Sequence, residues 1–287
     1  MTSSKAINSP FRYAGGKFYA RKLILEHVPN HTHYIEPFVG GGSIFFAKPK
    51  VDFNWLNDAD PELINTYLII QNRPQELVEA LEGEQALKER HRWYKNEYQP
   101  QNELERAKRW YYLNRTSYSG IMNMKNCYWG YGDKYSMRPE NWGRSILKTA
   151  EKLEGVRFTN LDFEDVIDNA PDGAFLFVDP PYFNADQDKF YTFFFSKEDH
   201  LRLNECLKRN SHRINFLLTY DNSQEIRDLY NWAHAMLDKE WNYTISRTDD
   251  QTKDKTQSPE KASRYKGKEV FITNYEVTEN DFKLESP

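Results

Sequence analysis

One stretch of this 287-residue chain constrains its fold more than any other: the apolar run Ala174-Phe175-Leu176-Phe177-Val178, which leads straight into Asp179-Pro180-Pro181-Tyr182. A strand with one face in water alternates apolar and polar residues. An unbroken run of this kind belongs to a strand covered on both faces, which is the habit of parallel sheets flanked by helices. Other runs fit the same plan. Tyr34 to Phe38 ends in Val39-Gly40-Gly41-Gly42 before a helix opening at Ser43 to Ala47. Phe53 to Leu56 ends in Asn57-Asp58, and Pro61 then starts a helix carrying Leu63, Ile64, Tyr67, Leu68 and Ile70. Val156 to Asn160, Ile214 to Tyr220 and Glu269 to Tyr275 are further strands, with helices at Lys197 to Lys208 and Gln224 to Leu237. The polar stretch Thr248 to Lys268 reads as a mobile loop. Strands alternating with helices predict an α/β fold with a doubly wound, mostly parallel sheet. Its sites should lie at the carboxyl ends of the strands.

Between about Gln71 and Ala150 the texture changes to aromatic and basic, with a helix over Glu103 to Asn114 and a loop over Thr116 to Pro139. This predicts an insertion, 71–150, in a domain made of 1–70 and 151–287. The chain as a whole carries a net charge of −4, which does not advertise a polyanionic partner. From Lys88 to Arg157, however, there are 15 Lys and Arg against 8 Asp and Glu. Such a surplus fits a surface that meets phosphates, and equally a solvated helical face. Trp110, Tyr111 and Tyr112 read as core of the insertion. Cys127 and Cys206, outside any CxxC or Cys/His cluster, read as free thiols in a reducing cytoplasm. No metal is implied, and no apolar run approaches membrane-spanning length.

Asp179-Pro180-Pro181-Tyr182 has a specific chemical logic. An exocyclic amine on an aromatic ring is a poor nucleophile because its lone pair is delocalised. A carboxylate (Asp179) and a backbone carbonyl (Pro180), each accepting one N–H, localise that pair, while Tyr182 offers a face for a base turned out of its stack. A rigid turn after a strand is the plainer alternative. The glycines at 40–42 let backbone approach a ligand, or merely a packed helix. Asp58 is placed to accept hydrogen bonds from ribose hydroxyls, or to serve as an ordinary helix-terminal acid.

Taken together, these segments resemble the Dam family, the D12 class of adenine-specific DNA methyltransferases, in its α-type motif order. Phe11-Arg12-Tyr13-Ala14-Gly15-Gly16-Lys17 is similar to the amino-terminal cofactor motif, and Glu36 to Gly42 to the glycine motif. Asn57-Asp58 with Leu63-Ile64-Asn65 resembles the ribose segment. Tyr112-Leu113-Asn114-Arg115, with Tyr118 and Gly120, resembles the start of the target-recognition region, and Asp179 to Tyr182 comes last. The resemblance implies a Rossmann-like methyltransferase sheet with a mainly helical recognition module inserted at 71–150. It also implies methyl transfer from S-adenosyl-L-methionine to the 6-amino group of adenine in double-stranded DNA, by base flipping and direct displacement. Tyr13, Lys17, Glu36, Phe38, Gly40, Asp58, Asp162, Phe163 and Asp179 would then border the cofactor. Arg109, Arg115, Lys125 and Lys134 would meet phosphates, and Tyr118 would wedge into the gap left by the base. Two departures stand out: Tyr13 replaces the family's usual Trp, and Asn123 stands where GATC-methylating members have a guanine-reading arginine. Asn prefers adenine edges, so GATC recognition is not inherited.

The expectation is a monomeric cytoplasmic enzyme, with a cognate restriction endonuclease as a candidate partner, in which Asp179→Ala abolishes turnover and leaves the fold largely intact. Rival readings are a methyltransferase acting on the 4-amino group of cytosine, one acting on RNA, and a silent DNA-binding relative.

Overall fold

A computed structural model describes residues 5–13, 15–134, 136–183, 192–242 and 266–277. In chain order it opens with α1 (Arg21–Leu25), β1 (His33–Glu36), α2 (Ser43–Ala47), β2 (Phe53–Asn57) and α3 (Pro61–Asn72). The helices α4 (Pro74–Leu81), α5 (Lys88–Asn96), α6 (Glu103–Thr116) and α7 (Trp142–Leu153) follow. The chain then returns to the sheet with β3 (Arg157–Thr159), α8 (Phe163–Asp168), β4 (Phe175–Val178), α9 (Lys197–Asn210) and β5 (Asn215–Asp221). It continues through α10 (Gln224–Leu229), β6 (Ala235–Asn242) and β7 (Lys266–Thr273).

The strands form one sheet in the order β3-β2-β1-β4-β5-β7-β6. β1 to β5 run parallel, and β7 runs antiparallel between β5 and β6. Alternate residues of β4 enter two different cores, as strand geometry requires. Phe175 and Phe177 join Tyr34, Leu56, Leu217 and Phe271 on one face. Leu176 and Val178 join Ile35, Trp55, Phe216 and Ile272 on the other. The apolar run is therefore continuous because both faces are covered.

α3 begins where Pro61 follows Asp60, whose carboxylate accepts from the amides of Glu62 (2.9 Å) and Leu63 (3.3 Å). A cap of this kind contributes about 1 kcal/mol. Of the four middle helices α4, α6 and α7 pack on α3 and α5 packs on α6, and they share one core: Leu77, Tyr94, Trp110, Tyr111 and Trp142 belong to the same apolar cluster as Tyr34 and Phe175. The segment before α1 is sewn to α6. Asn114 accepts from the Arg12 amide (3.1 Å) and donates to the Arg12 carbonyl (2.7 Å). Arg115 donates to the Pro10 carbonyl (3.2 Å).

Several expectations change. Helical periodicity runs from Gln224 to Leu237, but α10 ends at Leu229 and Ala235 begins β6. The helix-forming residues Ala235, Met236 and Leu237 are held extended by pairing with Thr273, Ile272 and Phe271, so tertiary context overrides local propensity. β7 starts at Lys266, three residues before the expected strand. Residues 248–265 of the expected mobile loop lie outside the described residues, as does Ala14. Much of the basic surplus is consumed internally. Arg90 and Lys108 pair with Glu84, Arg106 pairs with Glu62, and Lys152 is buried against the Lys48 carbonyl. Cys127 and Cys206 are buried free thiols. Among the described residues, no helix is long and apolar enough to cross a membrane.

Candidate active site

In chain order, β1 is followed by strands on one side of it and later by β4 on the other. The crevice between the carboxyl ends of β1 and β4 is thus the topological switch point, where open α/β sheets hold ligands. A cavity of about 440 Å³ opens there, within the usual range for small ligands. Tyr13, Lys17, Glu36, Phe38, Gly40, Asp58, Asp162, Phe163 and Asp179 all border it, together with Pro180, Tyr182 and Tyr118. Arg109, Arg115, Asn123, Lys125 and Lys134 do not.

Asp179 leaves β4 into the proline turn and meets two donors. The Lys17 ammonium lies 2.7 and 2.8 Å from its two oxygens, and the Thr219 hydroxyl of β5 donates to Oδ1 at 2.7 Å. Lys17 also donates to the Gly15 carbonyl (3.2 Å) and sits 4.8 Å from the centroid of the Tyr182 ring. The Tyr182 hydroxyl donates to Glu269, the residue of β7 paired with Asp221. Around the rim, Phe38, Phe163 and Phe195 form an aromatic cluster with centroids 5.5–5.6 Å apart. Asp58 accepts from the Gly40 amide (2.8 Å) and the Asp60 amide (3.0 Å), and burial lifts its carboxyl to about 6. A carboxylate has about four acceptor positions, and the Ala59 amide is a third backbone donor to this one, so about one remains for a ligand hydroxyl. An aromatic wall, a hydroxyl-accepting acid and a cation around one crevice suit a nucleoside bearing a charged tail. Among the described residues, no group of three or more His, Cys, Asp or Glu is placed to hold a metal ion.

The glycines at 40–42 border the cavity and also serve close packing. A Cβ on Gly40 would stand 2.8 Å from the Tyr13 ring, and one on Gly42 3.0 Å from the Phe46 ring. The glycines make room for the protein's own aromatics, so Tyr13 packs on the turn. Asp162 caps α8 by accepting from the Glu164 amide (2.9 Å) and pairs with Arg202 (2.9 Å).

Glu36 is 1 % exposed and accepts from the Tyr34 hydroxyl (2.7 Å) and the Phe45 amide (2.9 Å), which ties β1 to α2. Burial raises its carboxyl from 4.5 to about 8. The unfolded chain thus releases this proton near 4.5, whereas the folded chain keeps it to about 8. Glu36 therefore favours folding at low pH, and that stability is lost as pH rises through this window. In Glu36→Gln the melting temperature should vary less between pH 5 and 8 than in wild type; identical slopes by calorimetry would refute the assignment.

Thr219, Glu269 and Phe195 were not singled out from sequence. Thr219 is a polar residue between the apolar Leu218 and Tyr220 in the buried middle of its strand, a usable signal. Glu269 precedes Val270 to Thr273 like any strand-edge residue, and only the antiparallel direction of β7 carries it to the site.

The expected DNA contacts divide. Arg115 is 5 % exposed, and its tie to Pro10 corrects the phosphate role: the guanidinium faces the interior. Arg109 donates to the carbonyls of Tyr94 (2.8 Å) and Lys95 (3.0 Å), which fastens α6 to the end of α5. Lys125 and Lys134 are exposed. Asn123 and Lys125 lie in a turn where the Asn123 side chain accepts from the Lys125 amide (3.0 Å). This turn sits at the tip of a loop closed by the Ser117–Trp129 bridge, next to Tyr118.

A family model for the D12 class of N6 adenine-specific DNA methyltransferases matches residues 13–245. The type II methyltransferase M1.LlaDCHI of Lactococcus lactis subsp. cremoris is 27% identical over 292 residues, covering 93% of this chain and 95% of its own. The DNA N-6-adenine-methyltransferase of Escherichia phage P1 is 31% identical over 242 residues, 77% of this chain and 31% of its own. The DNA adenine methylase of Escherichia coli (strain K12) is 29% identical over 190 residues, 60% and 63% of the two chains. With the motif order, the sheet order and the crevice all in agreement, the chain belongs to the D12 class of N6 adenine-specific DNA methyltransferases.

Proposed function

We propose that this adenine methyltransferase takes its methyl group from S-adenosyl-L-methionine and acts on adenines turned out of double-stranded DNA. The observation that carries this reading is the opening of the Asp179–Tyr182 turn into the same crevice as Asp58, Phe38 and Phe163. When bound, the cofactor supplies a methyl group already activated on a sulfonium. Phe38 and Phe163 would hold its purine and Asp58 its ribose, with Glu36 and Tyr13 lining the remainder. Asp179 accepts one N–H of the target amine and the Pro180 carbonyl the other, which localises the nitrogen lone pair. Tyr182 stacks on the base, and Tyr118 fills the gap it leaves. Positioning supplies most of the rate, because no covalent intermediate is needed.

The segment 71–150 would form the recognition module, with Asn123 at the base-reading tip and Lys125 and Lys134 on phosphates. Lys125→Ala and Lys134→Ala should each weaken DNA binding across all sequences and lower the salt dependence of log K by about one unit. Fluorescence-anisotropy titrations between low and moderate salt measure this, and an unchanged slope removes the residue from the phosphate contacts. A partner restriction endonuclease would place the protein in a modification system, the context of its type II relatives' names.

The deciding experiment is modification-detecting long-read sequencing of DNA from a methylation-free host that expresses the chain. N6-methyladenine at one short motif is the expected result and identifies the recognition sequence. Methylated cytosine, or unmodified DNA in the presence of soluble protein, overturns the reading.

A further inference from the structure

In this structure three of the roughly four acceptor positions of Asp179 are filled, and both its oxygens are engaged by one ammonium. Lys17 spans both oxygens of Asp179, and Thr219 occupies Oδ1 as well. A base amine that takes Oδ2 shares that oxygen with the ammonium, so Asp179 accepts its N–H with full charge only once Lys17 withdraws. Lys17 is 3 % exposed, so it cannot simply move out into water without a large loss of burial. A second carboxylate stands beside it: Glu269 Oε2 lies 4.0 Å from the Lys17 nitrogen, and its side chain is 2 % exposed.

We propose that Glu269 is the positioning residue that receives Lys17 when the target amine arrives, so that Asp179 is freed for the reaction. The inference rests on the adenine-methylating reading above. A shift of about 1 Å converts the 4.0 Å separation into a hydrogen bond of ordinary length. The face of Tyr182 lies along the route, with its centroid 4.8 Å from the ammonium and its hydroxyl on the receiving carboxyl. The same hydroxyl contact ties the base-stacking ring to the acceptor of Lys17, so the cation and the ring respond together. Burial, with Asp179 and Asp221 nearby, lifts the Glu269 carboxyl to about 8 against the opposing pull of Lys17. The groups facing it are Lys17 from the segment before α1, Asp179 and Tyr182 from the turn after β4, Asp221 from β5 and Lys239 from β6. Arrival of Lys17 favours the ionised form, and the displaced proton passes to solvent. Departure restores the neutral acid and returns the ammonium to Asp179. The resting ion pair is thus a plug, and Glu269 is where the plug is parked.

Two measurements test this on the full-length protein. The first is a crystal structure with duplex DNA containing the target adenine and sinefungin in place of the methyl donor. The expected result is Lys17 within hydrogen-bond distance of Glu269, with the adenine amine on Asp179. Lys17 remaining on both Asp179 oxygens beside a flipped base, or reaching the ligand's carboxylate instead of Glu269, overturns the proposal. The second is Glu269→Gln, which keeps the size of the side chain and an acceptor for Tyr182 but cannot ionise. Its kcat should fall at least tenfold with the sinefungin dissociation constant unchanged, and its rate should lack the rise with pH below about 8 that is expected of wild type. A wild-type kcat and pH profile overturns the proposal alone. Absence of adenine methylation by wild type in the same assay overturns the functional reading instead.

Discussion

Asp179→Asn should lower single-turnover methyl transfer by about 10²–10⁴-fold, the range expected when a charged acceptor is removed from the reacting nitrogen. The variant keeps the volume of the side chain and an oxygen for the Thr219 hydroxyl. What it loses is the negative charge that draws the amine protons and offsets charge developing on nitrogen. Asp179→Ala is expected to be equally inactive but for two reasons at once. It strands Lys17, whose side chain is 3 % exposed, with Glu269 as the remaining carboxylate at 4.0 Å. Removing one partner of a buried ion pair costs about 3–5 kcal/mol, part of which ionisation of Glu269 recovers. The sequence-level expectation that Asp179→Ala leaves the fold largely intact is revised accordingly: its melting temperature should drop below those of both wild type and Asp179→Asn. Calorimetry decides the point. A wild-type melting temperature for Asp179→Ala would show that Lys17 is not held as a buried ion, and near-wild-type turnover of Asn would remove Asp179 from the chemistry.

Gly120→Ala should produce the second large effect, this time through the backbone. Gly120 follows Ser119, and both residues are left-handed, with φ of +70° and +52°. A Cβ on Gly120 would come 2.2 Å from the carbonyl oxygen of Arg12, which is backbone and cannot turn aside. Nor can the Arg12 strand retreat easily, because Asn114 grips it on both its amide and its carbonyl. Left-handed strain and overpacking together should cost about 2–5 kcal/mol. The displaced pieces are Tyr118 and Tyr13, both of which border the cavity, so KM should rise for DNA and for the methyl donor together. Gly83 provides the control. Its φ is +75°, yet nothing lies within 4 Å of a Cβ built there. Gly83→Ala should therefore cost only the conformational term of about 1–2 kcal/mol and leave kinetics alone. Similar denaturation midpoints for the two variants would defeat the steric account.

The parallel half of the fold was legible because each strand states its own case locally. Ala174 to Val178 is apolar throughout and Ile214 to Tyr220 is mostly so, and each is followed by an acid at the carboxyl edge of the sheet. The helix start at Pro61 was equally plain, since Asp60 and Pro61 are cap and first-turn residues. The antiparallel half was not legible, because Ala235 to Leu237 favour a helix until β7 offers eight backbone pairings. Glu269 was hidden for the same reason: direction, which no local pattern encodes, moves it from the far end of a strand to Asp179. In the helical region, charge counting left open how much of the basic surplus faces outward. It could not show that Arg109 answers backbone carbonyls or that Arg115 points inward. Those partners lie fifteen and 105 residues away in the chain.

The position of β7 also bears on how the molecule is made. β6 is synthesised before β7 but lies outside it in the sheet, so β6 has no neighbour to join until residues 266–273 have left the ribosome. Until then β5 presents an open ladder of unpaired amides and carbonyls, the kind of edge that recruits other chains. A nascent chain at that stage already holds Asp179 and Lys17 but lacks the wall that carries Glu269. Arrival of a single strand closes the edge, seats β6 and completes the crevice, so protection from aggregation and competence for chemistry come at the same moment of synthesis.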